Sequence, residues 1–424
     1  MKQQTENEIS EKSPIFFLPE QPSIHSNFFS REWSKKLIER FPIVEPLGGL
    51  HNLGNSCFLN SVIQCLCYTP GFAQFALTLP NIVYESIIGK PCFLHYFGEL
   101  FQSLSSFKIV APHLFFANLS MVNPDLECGS QQDAHEYLFA LLNHFDDECL
   151  VSINKSEPEY SSPIHSFFGG QLLETRHCSQ CNWKCTTKSK FLDITITLDG
   201  DSIESCFENF MSTRDVGSNY ICQECKGIGT CSSTTVFAET PNILIITMMR
   251  FTAAGVKIEK PVDFGHDLDL GSFSLPETHH QYELFAVINH TGHQITRGHF
   301  SCYMKCDNGN WYSADDSKIV RESNQSVLDS RPYVLFYRRK YGELVSPIMV
   351  TIGQPKQEVK KKKKLILVKP PEEVFEDVDS GFVSEMSDLD DSIIQYDNRI
   401  EVNKSIITEE NSIINMKLVY NKNK

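Results

Sequence analysis

No apolar run in this chain approaches membrane-spanning length, and the polar start MKQQTENEIS lacks the charged-then-apolar order of an export signal. Neither a membrane-embedded nor an exported protein is expected. Positive charge is also short: 38 Lys and Arg stand against 53 Asp and Glu, a net charge of −15 at pH 7. The chain lacks the basic footprint of a general nucleic-acid binder and suits a partner with a basic face. No internal repeat is evident. Cysteine, by contrast, is plentiful. Fifteen of them, an odd number, point to a reducing compartment, the cytosol or nucleus, where paired cysteines read as metal ligands before disulfides. A hydrophobic share of 41% with 11% aromatics is ample for a core, and 424 residues suit two or three domains or one large catalytic domain with tails.

Composition divides the chain in three. Residues 1–46 are polar, with an aromatic patch at Phe28, Phe29 and Trp33, and read as a loosely ordered arm ending at Pro46. Residues 47–340 alternate helical and strand patterns. Residues 341–424 hold the lysine run Lys360 to Lys364, which matches a nuclear-import signal or a solvated face. An acidic stretch follows, from Glu372 to Asp391, with little core pattern, and a disordered tail is expected.

Within the middle region, GGLHNLGNSCFLNSVIQCL (Gly48 to Leu66) carries Cys57 where a glycine-bearing turn enters a helix. Phe58, Val62, Ile63 and Leu66 recur at helical spacing, which puts Cys57 in the first turn. Unpaired N–H groups and the positive end of the helix dipole there favour a thiolate and can hold an oxyanion. A buried structural cysteine is the competing reading. Gln131 to His144 reads as an amphipathic helix burying Ala134, Leu138, Leu141 and Leu142. Asn242 to Met249 reads as a buried strand; Tyr282 to Asn289, His299 to Lys305 and Tyr333 to Tyr337 read as further strands. Helices first and an antiparallel sheet after give an α+β fold.

Two CxxC knuckles, Cys178 with Cys181 and Cys222 with Cys225, bring four thiolates to one tetrahedral Zn²⁺, with Phe191 to Leu198 as strand within the excursion between them. Chance pairing is the alternative, with Cys185 and Cys231 nearby. A structural zinc would contribute on the order of 10–16 kcal/mol of apparent binding free energy. Between His290 and Ile319, His299 opens a strand and Asp315 and Asp316 follow the next, so one hairpin sets them side by side. A cysteine nucleophile needs such a histidine, and the histidine a carboxylate to fix its tautomer. The order Cys, His, Asp fits a papain-like layout, with the cysteine helix facing the sheet across a cleft.

From Gly48 to Arg339 the chain resembles the ubiquitin-specific proteases, deubiquitinating cysteine peptidases. GLHNLGNSCFLNS is similar to the family's cysteine box, QQDAHEYL to its glutamine/aspartate box, and GHF, WYSADDS and YVLFY to its histidine box. The resemblance implies a hand-like fold: a helical thumb, an antiparallel β palm and zinc-bearing β fingers over about residues 170–250. It implies Cys57 as nucleophile, His299 as general base, Asp315 as its orienting residue and Asn52 as side-chain oxyanion donor, with Asp316 supporting the oxyanion. Asp133, Glu136, His290 and Gly292 match positions that grip the ubiquitin tail, and Phe300 is counted with them as a substrate-binding position. The implied partners are ubiquitin and ubiquitinated proteins, without nucleic acid or membrane, and the enzyme is expected to act as a monomer. The chain departs from the family pattern at Phe300, where tyrosine is common, at Met249 and at Pro332. A catalytically impaired ubiquitin-binding scaffold is the competing function. A zinc-knuckle nucleic-acid module is disfavoured by the charge.

Overall fold

Two consecutive left-handed residues, Gly54 (φ +98°) and Asn55 (φ +57°), turn the chain into a helix that starts at Cys57 and runs Cys57–Cys67. All eleven of its residues are buried, including Asn60, Ser61 and Gln64, so the helix is wrapped on every side rather than laid on a surface. The computed structural model describes residues 29–77, 92–151, 162–275, 280–295 and 297–341. The lysine run and the acidic stretch lie outside these residues, as does Phe28. The described residues fall within one unit of the chain.

Around the Cys57–Cys67 helix stand Phe72–Leu77, Phe93–Leu104, His113–Ala117, Leu119–Val122, Ala134–Val151 and Pro163–Phe168. Ala134–Val151 begins three residues later than the pattern Gln131 to His144 suggests. The Asp133 carboxylate accepts from the His135 N–H (2.8 Å) and caps the helix, which leaves Gln131 and Gln132 outside it. The expected stripe Ala134, Leu138, Leu141 and Leu142 is buried, joined by Tyr137 and Phe145.

Among the described residues twelve strands follow, in two sheets. Strands β1 (Gly170–Cys178), β2 (Lys184–Phe191), β4 (Arg214–Asp215) and β5 (Cys231–Glu239) form a four-stranded sheet in the order β2-β1-β5-β4. The larger sheet contains β3 (Ile194–Ile196), β6 (Ile243–Met248), β7 (Asp267–Asp269), β8 (Gln281–Gln294), β9 (Arg297–Lys305), β10 (Trp311–Asp315), β11 (Lys318–Glu322) and β12 (Pro332–Arg339). Its order is β11-β10-β9-β8-β12-β6-β3, with β7 on β8.

Strand β6 shows why the run NILIITMM is apolar without alternation. Ile243 and Ile245 face the helices, while Leu244, Ile246 and Met248 face a second core with the Ile203–Met211 helix, Phe264 and Phe273. Both faces are covered, so both parities are apolar.

Three expectations are corrected. The stretch Phe191 to Leu198 is not one strand of the excursion: it breaks at Leu192 and Asp193, and β3 joins the large sheet, parallel to β6 through Ile194 and Ile246. The fingers therefore do not fill residues 170–250, because β3, Ile203–Met211 and β6 belong to the palm, which is antiparallel save for that β3–β6 pair. Nor do residues 1–46 form a loose arm throughout. Arg31–Arg40 is a helix capped by Ser30, and Leu37, Ile38, Phe41, Ile43 and Leu47 are buried in the main core. Asn242 ties that helix down: its amide donates to the Arg31 carbonyl (2.7 Å) and Ser34 Oγ (2.8 Å), and its Oδ1 accepts from Tyr341 (2.5 Å).

Candidate active site

Strand β9 carries His299 and β10 ends on Asp315; the two strands pair through Cys302 and Ala314, which draws Asp315 alongside the ring. His299 Nε2 and Asp315 Oδ1 are 2.5 Å apart. The other strong partner of the imidazole is the Cys57 side chain, on the helix packed against β9. Cys57, then Asp315, raise the His299 pKa to about 9 against the opposing pull of burial. With Nε2 committed to the carboxylate, Nδ1 is the ring nitrogen left for the sulfur.

Asn52 and Asp316 are joined directly: Asn52 Nδ2 donates to Asp316 Oδ2 (2.8 Å). Asn52 Oδ1 accepts from the N–H groups of Gly54 (2.9 Å) and Ser56 (3.3 Å), which fixes the amide plane and leaves one Nδ2 hydrogen uncommitted. Asp316 is an acceptor and supplies no hydrogen to an oxyanion. Its place is beside Asn52, so the expected support is indirect.

The expected tail-binding residues divide by depth. Glu136 is exposed and Asp133 and Gly292 half-buried, whereas His290 and Phe300 are buried. Asp133 accepts from the Tyr333 hydroxyl on both carboxylate oxygens (2.7 Å each). Desolvation and the charges of Asp133 and Asp125 push the Glu136 carboxyl above its ordinary value, a site that a cation would relieve. Gly292 sits at φ +131° in the irregular end of β8, a conformation that favours glycine. His290 is wedged between the rings of Phe251 and Phe300, and burial drives its pKa down to about 4, so it is a neutral imidazole at pH 7. Phe300 stacks on His290 and Tyr333 and lies beneath the surface; it packs the residues around it and offers a ligand no exposed face.

Three residues of the site were not singled out from the sequence. Gln131 bridges thumb and palm with two bonds, Nε2 to the Gly298 carbonyl (2.9 Å) and Oε1 from the Gly298 N–H (2.8 Å). Its place two positions before Asp133 was the available signal. Asn55, Ser130, Gln131, Arg297 and Gly298 line an open groove of about 570 Å³ there. Tyr333, in the YVLFY strand, and Asn60, one turn after Cys57, complete the set.

At the far end of the small sheet, the sulfur atoms of Cys178, Cys181, Cys222 and Cys225 lie within 4.8 Å of one another. Cys178 and Cys225 are 3.7 Å apart, Cys181 and Cys222 3.8 Å. A tetrahedron with metal–sulfur bonds of about 2.3 Å has edges of about 3.8 Å, so the four thiols fit one metal ion. Cys231 pairs with Cys178 across β1 and β5, buried against the cluster but outside the set of four. Cys185 sits farther along β2, opposite Arg176.

A thiol, an imidazole and a carboxylate in series across a helix–sheet cleft define a papain-like thiol hydrolase. The chain belongs to the ubiquitin carboxyl-terminal hydrolase family, whose model matches residues 48–337, and within it to the ubiquitin-specific proteases. It is 32% identical over 309 residues to ubiquitin carboxyl-terminal hydrolase 23 of Arabidopsis thaliana, covering 69% of this chain and 35% of the relative. Against ubiquitin carboxyl-terminal hydrolase 42 of Homo sapiens it is 31% identical over 320 residues, 70% of this chain and 24% of the relative. Against probable ubiquitin carboxyl-terminal hydrolase 16 of Schizosaccharomyces pombe it is 29% identical over 351 residues, 79% and 74%. The chain thus spans about a third and a quarter of the length of the first two. The fold matches a chain of the SAGA Ubp8/Sgf11/Sus1/Sgf73 DUB module bound to ubiquitin aldehyde, with a TM-score of 0.62 at 23% identity over 70% of each chain. Among the described residues no helix is long and apolar enough to cross a membrane.

Proposed function

We propose that the protein hydrolyses the isopeptide bond after the C-terminal glycine of ubiquitin on conjugated proteins or chains. The observation that carries this reading is the placing of His299 between Asp315 and Cys57, with its pKa held near 9. His299 takes the Cys57 proton, and the thiolate attacks the glycine carbonyl carbon, whose electron pair moves onto oxygen. Asn52 and the N–H groups at the start of the Cys57–Cys67 helix hold that oxygen. Collapse breaks the C–N bond, and the departing lysine amine takes the proton from His299. Water, deprotonated by His299, then cleaves the thioester, releasing the ubiquitin carboxylate and restoring the thiol.

Asp133 and Glu136 give the cleft negative charge, which suits the arginines of the ubiquitin tail, and Gly292 with the neutral His290 supports the narrow passage for its glycines. The four knuckle cysteines would hold a structural zinc that fixes the tip of the fingers. All fifteen cysteines are unpaired, which supports a reducing compartment, the cytosol or nucleus. The decisive experiment is reaction with ubiquitin bearing a C-terminal electrophile. Wild type forms the covalent adduct, and Cys57→Ala forms none while still binding ubiquitin. Binding without adduct or turnover in the wild type would overturn the reading and favour a non-catalytic scaffold.

A further inference from the structure

Asn60 is 2% exposed, on the same helix as Cys57 and one turn beyond it. Its amide nitrogen spends both hydrogens, on Asp316 Oδ1 (2.7 Å) and on the His51 carbonyl (3.2 Å). Its Oδ1 is buried and accepts no hydrogen bond among the described residues. An orphan buried acceptor destabilises a fold, and an apolar side chain of similar size would fill the space without one. Packing alone does not account for an amide at this position.

The two bonds of Asn60 reach Asn52 from both sides. His51 is its neighbour in the chain, and Asp316 is the partner of its side chain. Asp316 itself sits at φ +52°, in the left-handed region that few non-glycine residues adopt. It is pinned there by three bonds: its two carboxylate oxygens to Asn60 and Asn52, and its carbonyl to the Leu50 N–H (3.0 Å). Without Asn60, one carboxylate oxygen loses its buried donor and is free to swing the other away from Asn52. The Asn52 amide then loses the contact that sets its tilt.

We infer that Asn60 is a positioning residue for the oxyanion site, holding Asp316 and the His51 peptide so that the uncommitted Nδ2 hydrogen of Asn52 meets the anionic oxygen of the tetrahedral intermediate. This rests on Asn52 being the oxyanion donor of the proposed hydrolase. Asn60 touches no substrate and acts only through Asp316 and Asn52.

The test compares two reactions of the full chain: turnover of a fluorogenic ubiquitin amide, which passes through an oxyanion, and capture by ubiquitin carrying a C-terminal Michael acceptor, which needs no carbonyl oxyanion. Two substitutions are used. Asn60→Asp keeps the shape but removes both donors, and Asn60→Leu keeps the volume. Removing an oxyanion donor outright costs about 10²–10³ in kcat; misaiming one is expected to cost about tenfold, with KM and the capture rate within about threefold of wild type. In an Asn52→Ala background the same substitutions are expected to cost less than about twofold further, because the group they aim is gone. Unchanged kcat overturns the inference. So does an equal loss in both backgrounds, or a parallel fall of kcat and capture, which marks a structural role. Should Asn60→Asp not fold, Asn60→Leu decides alone. A wild type that forms no adduct overturns the hydrolase reading itself and this inference with it.

Discussion

Replacing Gly298 with alanine adds one methyl group immediately before His299, the proposed general base. The new Cβ would lie 2.2 Å from His290 Nε2, 2.5 Å from His290 Cε1 and 2.5 Å from the Thr291 carbonyl oxygen. Ordinary contacts of this kind begin near 3.4 Å, so a displacement of about 1 Å must appear somewhere. His290 cannot retreat easily, with Phe251 and Phe300 ring centroids 5.2 and 4.7 Å from its own. Thr291 belongs to β8, paired directly with His299. The backbone at Gly298 is therefore the element that yields, against both Gln131 bonds, and it carries His299 with it. Overpacking of this kind costs about 1–3 kcal/mol of stability, and a misplacement of about 1 Å at a reacting group costs roughly 10²-fold in rate. Hydrolysis of a fluorogenic ubiquitin amide, with thermal unfolding in parallel, reads both. A variant with kcat/KM within threefold of wild type and an unchanged Tm would refute the argument that this glycine is needed for close approach.

Asp315→Asn should move the alkaline limb of kcat/KM downward. The His299 pKa is raised, so its protonated form persists to about pH 9; removing one of the groups that raises it lets the proton leave earlier, by about one pH unit. The matching stability term is fully present below the ordinary histidine value of about 6.5, fades as pH rises through about 9, and stays below about 1 kcal/mol because both side chains are partly exposed; an unmoved alkaline limb would speak against it. Cys222→Ser should abolish stoichiometric metal, measured by elemental analysis, and lower the Tm, with a chelator reproducing the effect in wild type. Equal metal content in the two proteins would remove the cluster from the list of metal sites.

The strands and the cysteine helix were readable from residue type and spacing: β6 is an unbroken apolar run because both of its faces are covered, and the Cys57–Cys67 helix, though buried all round, carries Phe58, Val62, Ile63 and Leu66 at helical spacing. The grouping of Cys57, His299 and Asp315 was readable for a different reason: each stands inside a long motif whose residue types the proposed chemistry requires. What escaped was whatever depends on partners distant in the chain. Nothing near Arg31 announces that its helix will be held by Asn242, 211 positions away. Strand β3 was misassigned because Phe191 to Leu198 is uniformly strand-like, and only the break at Asp193, which meets His135 at 2.7 Å, sends it to the other sheet. Asn60 and Gln131 passed unremarked because an amide in a helix or loop has no signature until its acceptor is known. Asp316 was assigned to the right neighbourhood, but its bonds to the two amides of Asn52 and Asn60 have no signature in the sequence.

The junction at Asn242 has a topological corollary. One side chain, in the bend before β6, grips the helix Arg31–Arg40 and the tyrosine that follows the last strand, so the chain closes into a noncovalent ring of some three hundred residues, 31 to 341. A boundary drawn at Pro46 would open that ring, stranding the Asn242 amide and baring the pocket that Leu37 and Ile38 occupy. A recombinant fragment intended to fold alone should therefore start upstream of Ser30 and extend past Tyr341, since trimming either end unlatches the other.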